Sequence, residues 1–273
     1  MPRMGIRPCA AGAVAVFLVA AAVSGHAQDQ QPRSARAYCL KVADGREAEF
    51  ESLVRDVAIP VEKGRAAAGR TKGFDLLRAV VPLGAAARCD YIALFHYGML
   101  PEALPADGLD EDLKRAGLAS TTTAQQVLQK WNALTDLVSL EWWWFAERVG
   151  PVWPRGSYAT INFWKIRPNG FEDFLAVERR YWKPIAESML KSGKKESWDL
   201  VGIWAPFQSE GYQGLTINTD HDWDAMMQPW SVVEEAWKKE FPGLTFAQAE
   251  AHKQSVRTQS HTEIYKVVET TTS

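Results

Sequence analysis

The chain has 273 residues, 47% of them hydrophobic and 23% charged, with 12 tryptophans and a formal net charge of −2. That is enough apolar material for two ordinary cores, and the lack of any basic stretch excludes a polyanion partner such as nucleic acid. No segment beyond the N-terminus approaches the ~18 uninterrupted apolar residues of a membrane span.

The first 27 residues read as an export signal. Arg3 and Arg7 precede the apolar run Ala10–Val23, and Ser24-Gly25-His26-Ala27 offers small residues for cleavage. Cys9 lies ahead of the apolar run, whereas a lipid-anchoring cysteine would follow it. Cleavage removes two of 31 basic residues and none of 33 acidic ones, for a mature net charge of −4. The expected location is periplasmic or secreted, where disulfides persist. Two cysteines remain, Cys39 and Cys89, and no zinc-type spacing exists.

In chain order, Ala37–Val42 alternates as a short strand, and Asp44-Gly45 turns into a helix with the stripe Phe50, Leu53, Val54, Val57 and Val61. That helix ends near Gly69. Phe74–Val81 and Tyr91–Tyr97 are strands, and an acidic connection, Pro101–Lys114, leads to a helix around Ala124–Leu137. Leu140–Arg148 is a tryptophan-rich strand, whose Trp142-Trp143-Trp144 must place rings on both faces. After the linker Gly150-Pro151-Val152-Trp153-Pro154 the order recurs. Strand Ala159–Ile166 precedes a helix with Phe171, Phe174, Val177, Tyr181 and Ile185 inward. Strands Trp198–Trp204 and Leu215–Thr219 follow, then helical stretches near Trp223–Lys239 and Phe246–Thr258, and a last strand, Glu263–Glu269.

The recurrence is a duplication. Tyr38–Pro82 lies over Asn162–Pro206 at an offset of 124 without a gap, and eight of the 45 positions are identical, among them Lys41/Lys165, Arg55/Arg179, Pro60/Pro184 and Asp75/Asp199. With one residue deleted, the register resumes at offset 123, matching Ala124/Ala247, Gln125/Gln248, Lys130/Lys253 and Thr135/Thr258. Pro60 and Pro184 fall inside helices and should kink them. The repeats run over 36–149 and 155–273.

Strand, helix ending in Pro and later Gly, two strands, helix, strand, with Ile59-Pro60-Val61-Glu62-Lys63 and Gly69 at the helix end, resembles the dimeric alpha/beta-barrel superfamily of ferredoxin-like domains. That superfamily includes antibiotic-biosynthesis-type monooxygenases and NIPSNAP-like proteins. The resemblance implies an α+β fold in which two tandem beta-alpha-beta-beta-alpha-beta repeats pack their sheets face to face into one barrel within the chain. It leaves a homo-oligomer open and does not supply a function.

The copies differ where a core should be apolar. On this alignment Tyr38 becomes Asn162, Ile92 becomes Thr216, Leu94 becomes Asn218 and Val57 becomes Tyr181. On the last helix Val127, Trp131 and Leu134 become Glu250, Gln254 and Arg257, and Val138 just after it becomes His261. A small-molecule pocket between sheet and helices of the second repeat, lined also by Trp164, explains them together. A rotated or exposed last helix is the alternative. Asn162, Asn218 and His261 are expected to share one cavity.

Individually, His261 suits a general base or ligand, or else a hydrogen-bonded strand-end histidine. Arg257 suits a carboxylate or oxyanion, or else a solvated helix face. His252 lies outward and makes a poor haem ligand. Asp220-His221-Asp222-Trp223-Asp224 reads as a helix start with Asp222 as N-cap, not as a metal loop. His96 reads as a satisfied strand residue. Cys39 and Cys89, at the starts of strands one and three taken as parallel neighbours, form a candidate disulfide.

The expectation is an exported barrel protein with a ligand-binding or structural role. The superfamily resemblance implies the alternative, a cofactor-independent monooxygenase-like enzyme acting on a small organic substrate. A haem enzyme of the chlorite-dismutase type comes third. No cofactor or metal is expected.

Overall fold

The computed structural model describes residues 33–82, 86–98, 108–206 and 211–272. The expected export signal and part of the acidic connection lie outside them. The first repeat comprises β1 (Ser34–Val42), α1 (Glu47–Leu53), α2 (Ile59–Ala67), β2 (Gly73–Val81), β3 (Tyr91–Tyr97), α3 (Leu109–Arg115), α4 (Ala124–Leu134) and β4 (Thr135–Val149). The second comprises β5 (Tyr158–Ile166), α5 (Phe171–Val177), α6 (Lys183–Lys191), β6 (Ser197–Pro206), β7 (Gly214–Asp220), α7 (Trp223–Met226), α8 (Trp230–Glu240), α9 (Phe246–Val256) and β8 (Arg257–Thr270). The expected helix Trp223–Lys239 is two, α7 and α8, because Pro229 cannot continue the first and instead starts the second. No helix among the described residues is long and apolar enough to cross a membrane.

Each repeat forms an antiparallel sheet, β4-β1-β3-β2 and β8-β5-β7-β6, and the sheets join edge to edge through β2–β8 and β4–β6 into one closed barrel. The chain thus has the α+β tandem ferredoxin-like architecture, with the whole barrel built by one chain. Strand alternation sends one set of side chains inward. Trp143, Phe145, Ile161, Phe163, Ile217 and Tyr265 are among those filling the barrel. Trp144 points the other way and stacks on Trp204, so the tryptophan run does serve both faces.

The shared prolines are accommodated by a specific device. A proline in regular helix lacks an N–H and drives its ring against the carbonyl four residues earlier. Both helices widen into a π turn immediately before, at Val54–Ala58 and Glu178–Trp182, and each proline then sits in the first turn of the next α segment.

The shared charged residues clamp the two seams. Asp75 of β2 accepts hydrogen bonds from Thr270 (2.5 Å) and Thr272 (2.6 Å) beyond the β2–β8 seam, and its other oxygen contacts His96 Nε2 at 2.7 Å. Asp199 of β6 accepts from Arg148 Nε (2.5 Å) on β4 and from Trp153 Nε1 (2.8 Å). Arg55 reaches Glu269 at 3.3 Å and Arg179 reaches Glu147 at 2.7 Å, each joining the first helix of one repeat to the last strand of the other.

Strand pairing corrects the register between the copies. Tyr38 faces Ala93 and Asn162 faces Thr216, so Ala93, not Ile92, is the counterpart of Thr216, and Phe95, not Leu94, is that of Asn218. The offset is already 123 at the third strand. A second residue is lost before the last helix. There Thr123 and Gln126 form a capping box repeated by Thr245 and Gln248, an offset of 122. The last strands keep it: Val42 faces Thr135, and Ile166 faces Arg257. The counterparts of Glu250, Gln254, Arg257 and His261 are therefore Leu128, Asn132, Thr135 and Ser139. Arg257 opens β8 and does not belong to the helix body, and His261 lies within that strand.

Cys39 and Cys89 form a disulfide with a Cα separation of 5.2 Å, inside the range that geometry permits. β1 and β3 are antiparallel, not parallel, and it is this that brings the residue just before β3 to the far end of β1. The bond closes a loop across a sequence separation of 50, which constrains the unfolded chain by about 4 kcal/mol. Thiol titration of the unreduced, unfolded mature protein should find no free thiol, and reductant should lower the urea midpoint. Two titratable thiols would contradict the bond.

Candidate functional site

A cavity of about 770 Å³ lies between the outer face of the second repeat's sheet and its helices. Asn162, Trp164, Trp198, Thr216, Asn218 and Asp220 form its floor, and Glu178, Trp182, Ile185 and Met189 one wall. The start of α8 and the inner face of α9 close the rest, through Trp230, Val233, Glu250, Lys253, Gln254 and Arg257. At Gly214 a Cβ would meet the Phe174 ring at 2.6 Å, whereas its counterpart Tyr91 packs against Phe50.

Ionic groups sit unusually deep here. Glu178 is fully buried, and its Oε1 lies 2.6 Å from Arg257 Nη2. Neither Glu178 oxygen has a well-aligned hydrogen bond, and Arg257 Nε has no partner among the described residues. The Arg257 guanidinium carbon stands 3.2 Å above the centre of the Trp164 ring. Lys253, 1% exposed, pairs with Glu250, and its ammonium lies 4.2 Å from the Trp182 ring centre. Lys195 pairs with Asp220 at 3.6 Å. Burial pushes the Glu178 carboxyl up against the opposing pull of Arg257. It likewise pushes the Lys253 ammonium down. Both shifts mean charged groups short of solvation.

Seven sequence candidates line this cavity: Asn162, Trp164, Thr216, Asn218, Glu250, Gln254 and Arg257. Thr216 accepts from Trp164 Nε1 at 3.0 Å, and Asn162 accepts from Thr262 at 2.8 Å. Tyr181 and His261 do not belong to it. Tyr181 packs on Trp237 and Phe241 and contacts His252 Nδ1 at 3.1 Å. His261 faces the barrel interior, stacked on Phe163 at 4.1 Å, because it pairs opposite that inward residue. The three residues expected to share one cavity are thus two, Asn162 and Asn218. Asp222 caps α7, accepting from Ala225 N at 2.7 Å, and no metal-holding group of His, Cys, Asp and Glu occurs among the described residues.

Two central residues escaped the sequence reading. Glu178 replaces Val54 within the ungapped alignment, so its signal was present and overlooked. Lys253 replaces Trp131, but the one-residue slip matched it with Lys130 and disguised it as a retained surface lysine. In the first repeat Tyr38, Val54, Ala93, Phe95 and Trp131 all belong to one dry apolar cluster. Their counterparts Asn162, Glu178, Thr216, Asn218 and Lys253 all line the cavity.

No protein-family model matches the chain, and no curated protein matches it. Solved structures share the fold at very low identity. A provisionally assigned monooxygenase from Fusobacterium nucleatum subsp. nucleatum is 9% identical, with 88% of this chain and 94% of that one aligned at a TM-score of 0.54. An anthrone oxidase-like protein is 13% identical over 89% and 94% at 0.49. A provisionally assigned monooxygenase from Lactobacillus acidophilus NCFM is 10% identical over 88% and 96% at 0.48. The likeness to the Fusobacterium protein speaks to the architecture alone.

His261 offers a pH test of its assigned place. Burial, opposed by Glu263 and assisted by Arg88, lowers its pKa below the ordinary imidazole value. Below about pH 6.5 the unfolded chain then binds a proton that the folded one resists, so stability falls on acidification. The fall in melting temperature between about pH 7.5 and pH 5.5 should be smaller in His261→Gln. An equal or larger fall would place His261 outside the barrel.

Proposed function

We propose that the second repeat is the binding site of a small amphipathic organic molecule. One observation carries this reading: five positions forming a single dry cluster in the first repeat are polar or charged in the second, around a cavity of about 770 Å³. That volume is within the usual range for ligand sites. An unpaired buried polar group costs roughly 1–3 kcal/mol, so a purely structural role would favour the apolar set the first repeat keeps. The cavity joins flat apolar walls to a few converging polar groups, as ligand sites do.

The reading includes export. The leader pattern of residues 1–27 supports it, as does the Cys39–Cys89 disulfide, a bond that persists in oxidising compartments. A homo-oligomer is not required, since one chain completes the barrel. Among the described residues the lining holds no histidine, cysteine or tyrosine to serve as a proximal haem ligand, and the nearby His252 contacts Tyr181. The Fusobacterium protein's provisional name is monooxygenase. Turnover of the bound molecule in the presence of oxygen would add that activity to the binding reading.

Asn218→Phe, which installs the first repeat's residue, tests the binding site. In a thermal-shift screen of amphipathic molecules, a ligand at 100 times its Kd stabilises by about 2.7 kcal/mol. The variant should fold with an unchanged or higher melting temperature and lose those shifts. Shifts that survive in Asn218→Phe would move the site elsewhere, and a library without any stabilising molecule would contradict a binding role.

A further inference from the structure

We infer that the molecule bound in this cavity is a ring-bearing carboxylate, its apolar body against the tryptophan walls and its carboxylate beside Lys253 and Arg257. This rests on the binding reading above and goes further by naming the ligand's chemistry. Lys253 and Arg257 are four residues apart across the end of α9, about one helical turn. They are 1% and 6% exposed. Their first-repeat counterparts, Trp131 and Thr135, are uncharged, so both cations are particular to the repeat with the cavity.

The charge count favours an anion. Lys194, Lys195, Lys253 and Arg257 line the cavity against Glu178, Asp220 and Glu250, an excess of one positive charge. One excess charge matches a monocarboxylate better than a phosphate dianion. The donors are not exhausted. Among the described residues Arg257 Nε has no hydrogen-bond partner. An ammonium has three protons, and Glu250, the partner of Lys253, is itself one-third exposed. A ligand carboxylate would resolvate Lys253, whose charged form burial disfavours. Trp182 and Trp198 add flat apolar surface that suits rings.

1-Pyrenebutyrate and 1-pyrenebutanol share ring and chain and differ in charge, and energy transfer from tryptophan to pyrene reports both. The wild-type protein should bind the carboxylate at least tenfold more tightly than the alcohol. Lys253→Gln should weaken the carboxylate about tenfold or more and leave the alcohol within about twofold, which a merely structural lysine would not do. The wild-type comparison stands even if the variant does not fold. Equal affinities, a preference for the alcohol, or a parallel loss of both in Lys253→Gln would overturn the inference while leaving the binding site in place. If neither pyrene binds and no library molecule stabilises the protein, both readings fall.

Discussion

The barrel closes within one chain across two seams, and that closure makes the rest of the molecule possible. At each seam a fully buried aspartate gathers donors from several segments. Asp75 holds Thr270, Thr272 and His96, and Asp199 holds Arg148 and Trp153. Breaking a buried ionic pair such as Arg148–Asp199 costs about 3–5 kcal/mol, because the partner stays buried and uncompensated. Arg55–Glu269 and Arg179–Glu147 repeat the logic outside, tying each first helix to the other repeat. No strand of the barrel is left with a free edge.

With closure secured by residues common to both copies, the space under each helical layer was free to diverge. The first repeat fills it with Phe50 edge-to-face on Trp131, and with Phe95 edge-to-face on Tyr38 and Phe74. Its helix pair α2 and α3 is held by Arg65, bridging Glu62 at 2.5 Å and Asp112 at 2.7 Å. The second repeat opens the equivalent space and lines it with Glu178, Lys253 and Arg257. The π turn contributes directly: Glu178 opens it and Trp182 ends it, so the widening that accommodates Pro184 also aims two lining side chains. A rigid barrel with one dry and one polar compartment is a scaffold on which the polar groups are held without collapse.

Much of this was legible from sequence. Apolar periodicity located all eight strands, and the ungapped alignment of Tyr38 with Asn162 exposed the duplication. What failed was register beyond the alignment's end. Two single-residue deletions, in loops where no side-chain pattern constrains spacing, shifted every later comparison. Thr216 and Asn218 were still singled out, since their true counterparts Ala93 and Phe95 are also apolar. Lys253 was lost because the slip paired it with Lys130. His261 was misplaced because the last strand begins at Arg257, six residues earlier than its apolar alternation suggests. A bulge at Phe163/Trp164 adds to the difficulty, since it resets which residues face inward. The capping boxes Thr123/Gln126 and Thr245/Gln248 carried the correct register, and would have found Lys253.

The central claim is that the second repeat holds a polar compartment built to be occupied, while the first is dry. A high-resolution crystal structure of the protein as isolated tests it most directly. The account predicts density for a ligand or ordered water hydrogen-bonded to Lys253, Arg257 and Asn218, with none beneath the helices of the first repeat. A second repeat closed over by Trp182 and Trp230, with Glu178, Arg257, Lys253 and Glu250 satisfying one another in a dry core, would contradict it.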